Sequence, residues 1–136
     1  MHETFDHTAD LGLRIRSATE ELLFVEAAEA LLASIVEDPT SVQPTTKVEI
    51  SLQEDDREYL LFDWLKELLF RFDAEHWLFS RFEVQLNGTG LKATVWGEPL
   101  DLDRHELNHE VKAITYHGLK LEQTEDGWLA EVIVDI

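Results

Sequence analysis

Residues 82–96 read Phe-Glu-Val-Gln-Leu-Asn-Gly-Thr-Gly-Leu-Lys-Ala-Thr-Val-Trp. Apolar and polar residues alternate over 82–86 and again over 91–96, which is the period of a half-buried strand. Asn-Gly-Thr-Gly between two such runs is typical of a hairpin turn. This stretch therefore predicts a pair of antiparallel strands, and the fold class follows from what surrounds it.

Strand-like and helix-like segments flank this hairpin in a recognisable order. Alternation predicts strands at 11–16 and 47–52 before it, and at 111–116, 119–123 and 128–136 after it. A first helix is predicted to start at Thr19, or at a capping box over 17–20, and to end at Asp38-Pro39. A second helix is predicted to start at Asp55 or Asp56. Runs of strands with two early helices favour an α+β fold, in which a largely antiparallel sheet packs with two α-helices.

The second helix carries an aromatic stripe that we expect in the core rather than around a cofactor. Its members are Trp64, Phe70, Phe72 and Trp77. A wide apolar stripe on a helix has to be covered by a sheet or by another helix. Since the chain has 136 residues, we expect one domain over 1–136.

Composition excludes several classes of function. The chain has no cysteine, so disulfides, thiolate zinc sites and cysteine nucleophiles are excluded. Its first residues have neither the basic nor the apolar region of a signal peptide. No apolar run approaches the ~20 residues that span a bilayer. We therefore expect a soluble, cytoplasmic protein.

Acidic residues dominate the charge, with 29 Asp and Glu against 11 Lys and Arg, for a formal net charge of −18. Such a field repels RNA and anionic membranes, because nucleic-acid binding relies on cationic side chains that neutralise phosphates. We therefore expect a partner with a basic protein surface, a cation, or both. The alternative is that the charge serves only solubility or a salty habitat.

Carboxylates cluster at both ends of the chain. Residues 5–10 read Phe-Asp-His-Thr-Ala-Asp just ahead of a predicted strand, and the last strand ends on Asp135-Ile136. If the two segments lie side by side, Asp10, Asp135 and the terminal carboxylate of Ile136 converge, and a cation is needed among them. Oxygen ligands suit a hard ion such as Ca²⁺ or Mg²⁺. The alternative is two unrelated surface clusters.

Residues 105–109 match the zinc peptidase pattern His-Glu-x-x-His. In such enzymes a helix places the two histidines one turn apart. Here Pro99 and a polar stretch precede the motif, and a predicted strand follows it almost at once. We therefore favour an ordinary loop and keep a zinc hydrolase as the alternative.

Lys112 stands out because cations are few in this chain. Alternation over 111–116 predicts that Lys112, Ile114 and Tyr116 share one face of a strand, with the intervening residues on the other. A lysine here either pairs with a neighbouring acid or approaches a phosphate or carboxylate at a working site.

Taken together, these segments resemble the archease family across nearly the whole chain. The matching stretches are 6–10 (Asp-His-Thr-Ala-Asp), 19–21, 27–31, 60–69, Phe72, 97–99, His105, 110–117 (Glu-Val-Lys-Ala-Ile-Thr-Tyr-His) and the closing Asp135-Ile136.

The resemblance implies an activator that is not itself an enzyme. Its partner would be an RtcB-type RNA ligase, which joins a 3′-phosphate to a 5′-hydroxyl end in tRNA splicing and RNA repair. The activator promotes guanylylation of the ligase and hence its multiple turnover. The resemblance also implies a metal bound by Asp10, Asp135 and Ile136, with Ca²⁺ expected and Mg²⁺ or Mn²⁺ as alternatives, and a role for Lys112 in activation.

Two further functions remain open at this point. The chain could be a chaperone-like partner of tRNA-modifying enzymes such as a tRNA methyltransferase, acting through the same acidic surface without metal. It could also be a domain that a metal merely stabilises. Strong direct binding to nucleic acid or to a membrane is not expected in either case.

Overall fold

Antiparallel strands and two helices make up the part of the chain that the computed structural model describes, which is residues 1–7 and 10–136, with the backbone alone at residues 6 and 7. The α+β prediction is confirmed. Within these residues the order is β1 His2–His7, β2 Asp10–Ser17, α1 Glu20–Ile35, a 3-10 turn Pro39–Ser41, β3 Thr46–Gln53, α2 Arg57–Glu75, β4 Trp77–Asn87, β5 Gly90–Pro99, β6 Ala113–Ile114, β7 Lys120–Thr124 and β8 Gly127–Asp135.

The strands of the described residues form two sheets rather than the one that was predicted. One sheet has the order β1-β2-β8-β6, with β7 also paired to β8, and the other has the order β3-β5-β4. The predicted hairpin is the β4–β5 pair, in which Leu86 lies opposite Leu91. Each helix contacts strands of both sheets, so one apolar core lies between the two helices and the two sheets. Leu13 on β2 and its partner Val132 on β8 lie in that core with no exposed surface.

Both helices begin where their capping residues predict. Thr19 Oγ1 accepts a hydrogen bond from the Leu22 backbone N–H at 3.1 Å. Asp56 Oδ1 accepts from the backbone N–H groups of Glu58 and Tyr59 at 2.9 and 3.1 Å. These bonds satisfy N–H groups that have no partner within the helix. Helix α1 ends at Ile35, earlier than the predicted Asp38-Pro39.

The aromatic stripe assigned to the second helix is only partly a core feature. Trp64 is fully buried, and its indole Nε1 donates to the Phe24 carbonyl at 2.9 Å. Phe70 is 57% exposed, which contradicts its core assignment. Trp77 is not helical, because the backbone of His76 turns left-handed and ends α2, so that Trp77 opens β4. A left-handed residue is a common helix terminator, and the apolar spacing alone did not reveal it.

Two strand predictions need correction. β1 was missed because its residues show no apolar alternation. The strand pairs with β2, and its residues 2–4 are exposed. The segment 111–116 is a strand only at Ala113–Ile114. Its buried residues are Val111 and Ile114, which are three positions apart, while Lys112 is exposed. A period of two cannot place positions three apart on one face, so the predicted shared face of Lys112 and Ile114 was wrong.

Candidate carboxylate site

The first and last carboxylates of the candidate site lie directly opposite each other. Asp10 opens β2 and Asp135 closes β8, and the two residues are register partners in the antiparallel pair. Directly opposed residues have Cβ atoms about 4.5–5.5 Å apart and point to the same face of the sheet. The convergence of Asp10 and Asp135 predicted from the sequence is therefore present in the strand register.

These two carboxylates point away from the core. The next register pair, Leu11 and Val134, is buried at 8% and 0% exposure. Because successive side chains of a strand alternate between faces, Asp10 and Asp135 lie on the opposite, outer face. Both side chains are partly exposed, so an ion from solution can reach them.

Lys112 is held beside this pair through its backbone. Its N–H donates to the Asp135 carbonyl at 2.7 Å. The next residue, Ala113, is the register partner of Asp135 on the side away from Asp10. The exposed side chain of Lys112 therefore begins one residue before the register partner of Asp135. Asp10, Asp135 and Lys112, all predicted from the sequence, thus lie at the same end of the sheet.

The donor chemistry at this end of the sheet fits a hard divalent cation. Like charges directly opposite each other on a sheet are destabilising, and a cation between them removes that cost. Within the described part of the chain, no three His, Cys, Asp or Glu side chains gather closely enough to hold a metal. The sequence also predicts the terminal carboxylate of Ile136, one residue beyond Asp135, as an oxygen donor. The side chains of residues 6–9, which precede Asp10 in the motif, are not among those that the structure describes.

A row of charged residues further along the same face of the sheet shows how the protein neutralises carboxylates with its own cation. Arg14 Nε donates to Glu131 at 2.8 Å, and Arg14 Nη1 donates to Glu3 at 3.2 Å. The bond to Glu131, followed by the bond to Glu3, raises the pKa of Arg14. The guanidinium also lies 4.7 Å from the centre of the Phe5 ring. Arg14 occupies the centre of this row, between Glu3 and Glu131.

His105 and His109 do not form a zinc site. Residues 100–112 contain no helix, and His109 is exposed whereas His105 is buried. Both ring nitrogens of His105 are engaged: Nδ1 accepts from the Asp101 N–H at 2.9 Å, and Nε2 lies 3.0 Å from Glu98 Oε2. The favoured alternative, an ordinary loop, agrees with this geometry, which leaves His105 no lone pair for a metal.

The buried carboxylate of Glu98 is a structural centre that the sequence did not single out. It accepts hydrogen bonds from Arg104, from the Gln43 N–H at 2.6 Å and from His105. The bond from Arg104, assisted by those from Gln43 and His105, lowers the pKa of Glu98 to about 2 against the opposing effect of burial. In the sequence, Glu98 is marked only by the Pro99 that follows it and by Arg104 nearby. Neither residue predicts that the Glu98 side chain is buried.

The loop tied down by Glu98 also covers the end of α1. The Asn108 N–H donates to the Ile35 carbonyl at 2.8 Å, and the His109 N–H donates to the Ser34 carbonyl at 3.0 Å. These carbonyls are among the last of the helix and have no partner within it. Because the chain runs from this contact directly into Lys112, the loop sets where Lys112 enters the site.

None of the helices in the described part of the chain is long and apolar enough to cross a membrane. This finding agrees with the absence of a long apolar run in the sequence.

Comparison with known proteins gives one consistent family. The model described as the Archease protein family (MTH1598/TM1083) matches residues 2–136. The protein archease of Methanopyrus kandleri is 42% identical over 138 residues, covering 98% of each chain. The solution structure of Methanobacterium thermoautotrophicum protein 1598 superposes with a TM-score of 0.84 at 35% identity, covering 99% of this chain and 98% of the other. A Thermotoga maritima crystal structure described as an archease and possible chaperone gives a TM-score of 0.66 at 25% identity, covering 100% and 98%.

Proposed function

Because the chain belongs to the archease protein family, we propose that it is a non-catalytic activator of an RtcB-type RNA ligase. The ligase joins a 3′-phosphate to a 5′-hydroxyl RNA end in tRNA splicing and repair. The activator promotes guanylylation of the ligase and so allows multiple turnover. It does this through a divalent cation, with Ca²⁺ as the expected ion. The cation binds where Asp10, Asp135 and Ile136 meet at the end of the sheet, which we call the carboxylate edge.

The observation that carries this proposal is the register of Asp10 opposite Asp135 at the end of the sheet. In the proposed site, Asp10, Asp135 and the terminal carboxylate of Ile136 hold the cation. When bound, the ion supplies a positive centre that attracts phosphate oxygens. The strand pairing pre-organises the two side chains, and β6 supports Asp135 from its other side.

Lys112 contributes a second positive group in this proposal. Its backbone bond to Asp135 keeps the start of the side chain next to the carboxylates. An exposed ammonium on a flexible stem can reach a phosphate or an acidic group of the partner. Its task is to position the partner's reacting groups, not to transfer them.

The charge of the chain supports a protein partner rather than RNA itself. A net charge of −18 attracts the basic surface with which an RNA ligase holds its substrate, and repels the RNA backbone.

The decisive experiment is multiple-turnover RNA ligation by an RtcB-type ligase from the same organism, with substoichiometric amounts of this protein. The wild type should raise the rate strongly. Asp10→Ala should abolish stimulation while the far-UV circular dichroism and the unfolding midpoint stay close to wild type, since Asp10 faces away from the core.

Asp126→Ala is the matched control, because this exposed carboxylate lies beside the opposite end of β8. That strand is about 26 Å long from Gly127 to Asp135 at roughly 3.3 Å per residue. The Asp126→Ala variant should stimulate like the wild type. Full stimulation by folded Asp10→Ala protein would remove the carboxylate edge from the mechanism. No stimulation by the wild type, with an active ligase, would refute the proposed function.

A second test addresses the terminal carboxylate. Adding one residue after Ile136 moves that carboxylate by about 3.5 Å and removes a charged oxygen ligand. Calcium affinity, measured by isothermal titration calorimetry on the isolated protein, should fall at least about tenfold, because affinity follows the number of charged ligands. Unchanged affinity would exclude Ile136 from the site.

One alternative has a specific observation in its favour, which is that the similar Thermotoga maritima protein is described as a possible chaperone. A chaperone-like partner of a tRNA-modifying enzyme would use the acidic surface without metal. Binding to a tRNA methyltransferase that persists in excess EDTA and in the Asp10→Ala variant would favour this alternative over ligase activation.

A further inference from the structure

An exposed group of aromatic side chains lies next to the carboxylate edge. Tyr59, Phe70 and Tyr116 are 50%, 57% and 58% exposed. Tyr59 and Phe70 share the outer face of α2 with Asp63 and Lys66, at spacings of four, three and four residues. We call the surface made by Tyr59, Asp63, Lys66, Phe70 and Tyr116 the aromatic face. Exposed aromatic residues at one place are a mark of interaction surfaces.

The rings at the centre of this face are held rigidly. Tyr116 stacks on the buried ring of Phe62, with centroids 3.9 Å apart and planes inclined by 16°. Tyr59 meets Tyr116 edge-on at 5.7 Å. Lys66, another residue of the aromatic face, has its Nζ 5.9 Å from the centre of the Phe62 ring. Aromatic side chains fixed in advance lose little conformational entropy on binding, which is why they serve as anchors.

One residue of the aromatic face, Tyr116, lies close in the chain to the carboxylate edge. Tyr116 lies three residues after Ala113, the register partner of Asp135, so their Cα atoms are at most about 11 Å apart. The intervening Thr115 is fastened by its N–H to the Ile133 carbonyl at 3.0 Å. The short segment 114–116 therefore links the strand end at Asp135 to the aromatic face.

Carboxylates around the rings favour a partner with positive charge. Burial, and then the like charge of Glu54, raises the pKa of Asp63, and Lys66 opposes this shift. Burial, and then Glu110, raises the pKa of Asp73 one turn beyond Phe70, with His76 opposing. Asp63 and Asp73 of α2 are thus each disfavoured by a carboxylate from outside the helix, Glu54 and Glu110 respectively, and a cation from a partner would relieve that repulsion.

We propose that the aromatic face is the surface on which a basic protein partner docks, with Tyr59 and Tyr116 as the anchor and Asp63 and Asp73 as the charged rim. The proposal rests on the proposed function in taking this partner to be the RNA ligase. Single-stranded RNA also stacks on aromatic rings, but its phosphates would approach Asp63 and Asp73, so charge favours a protein.

The test is the dissociation constant of the full-length chain and the ligase, measured by biolayer interferometry for the wild type, Tyr59→Ala and Tyr116→Ala. Each substitution should weaken binding by at least about 30-fold, the effect of losing an interface anchor. Leu22→Ala is the matched control, because Leu22 is 49% exposed on the other helix. The Leu22→Ala variant should bind the ligase with an affinity within about threefold of the wild type.

The Asp63→Asn variant separates a loss of ligase binding from a loss of folding. Removing a carboxylate that is disfavoured by burial and by Glu54 should leave the unfolding midpoint unchanged or raised. The same change should weaken ligase binding and flatten its dependence on salt concentration, because a rim charge mainly speeds association. A merely structural role for Asp63 would not lower affinity while stability holds.

The outcomes separate the two proposals. If the wild type neither binds nor stimulates the ligase, the proposed function falls, and this docking partner falls with it. If the wild type binds and stimulates, and the folded tyrosine and Asp63 variants bind equally well, only the docking surface is overturned. Wild-type binding to single-stranded RNA that is lost in Tyr116→Ala would also overturn it in favour of a nucleic acid.

Discussion

At the scale of single residues, Glu98 has the most concentrated set of polar contacts described above. Its side chain is 8% exposed and touches the guanidinium of Arg104, the ring of His105 and the backbone of Gln43. A buried carboxylate is tolerated only when such donors replace the water that it loses. Glu98 therefore holds the loop that leads to Lys112, although it is remote in sequence from the carboxylate edge.

We expect Glu98→Gln to destabilise the protein by about 2 kcal/mol at neutral pH, because charge-assisted hydrogen bonds are lost. The folded pKa of Glu98 is depressed to about 2 from 4.5, so its stabilisation is present above pH ~4.5 and is lost as the pH falls towards 2. Urea unfolding of both proteins between pH 2 and 7 measures this difference.

The two proteins should converge in stability near pH 2, since protonated glutamic acid and glutamine have similar bonding capacity. Carboxylates with raised pKa values, such as Asp63 and Asp73, act in the opposite direction but cancel in the comparison. A stability difference that stays constant over the whole pH range would contradict the role assigned to the charge of Glu98.

At the scale of elements, the β4–β5 pair contains an irregularity that places Glu98. The register shifts between Phe79 and Arg81, opposite Gly97. A Cβ on Gly97 would lie 1.8 Å from the Leu78 carbonyl oxygen, which is a backbone atom and cannot move aside cheaply. Glycine at this position lets the two backbones approach closely, and the next residue along the strand is Glu98.

Gly97→Ala should therefore cost at least about 2 kcal/mol, through strain where two backbones meet. Gly88→Ala is the matched control, because a Cβ there would meet nothing within 4 Å. It should change stability by no more than about 0.5 kcal/mol. Urea unfolding midpoints of the two variants give the comparison, and equal midpoints would show that the close approach at Gly97 is not needed.

At the scale of the whole molecule, the net charge of −18 opposes the compact state. Folding brings like charges together, and salt screens their repulsion over a Debye length that falls from ~30 Å at 0.01 M to ~3 Å at 1 M. The acidity that attracts a basic partner therefore also lowers stability when salt is scarce.

We expect the unfolding temperature to rise by about 4 °C between ~0.01 M and ~0.5 M sodium chloride, which corresponds to about 1 kcal/mol for a chain of this size. Calorimetry in EDTA excludes any effect of divalent ions. A flat or falling dependence on salt would mean that ion pairs such as Arg14–Glu131 outweigh the general repulsion.

Several features were determined by the sequence alone, because their signals are local. Capping side chains at Thr19 and Asp56 placed the starts of both helices, and the Asn-Gly turn placed the hairpin. A cap or a turn works through residues only two or three positions away, so no tertiary information was needed. The α+β class followed from the order of these elements.

Other features were decided only by the tertiary structure, because they depend on partners distant in sequence. β1 exists because β2 offers it an edge, and Trp77 lies in β4 because His76 ends the helix before it. The meeting of Asp10 with Asp135 was one of two hypotheses until the strand register placed them opposite each other. Register joins residues at opposite ends of the chain and is set by the burial of a whole sheet face, which no local pattern encodes.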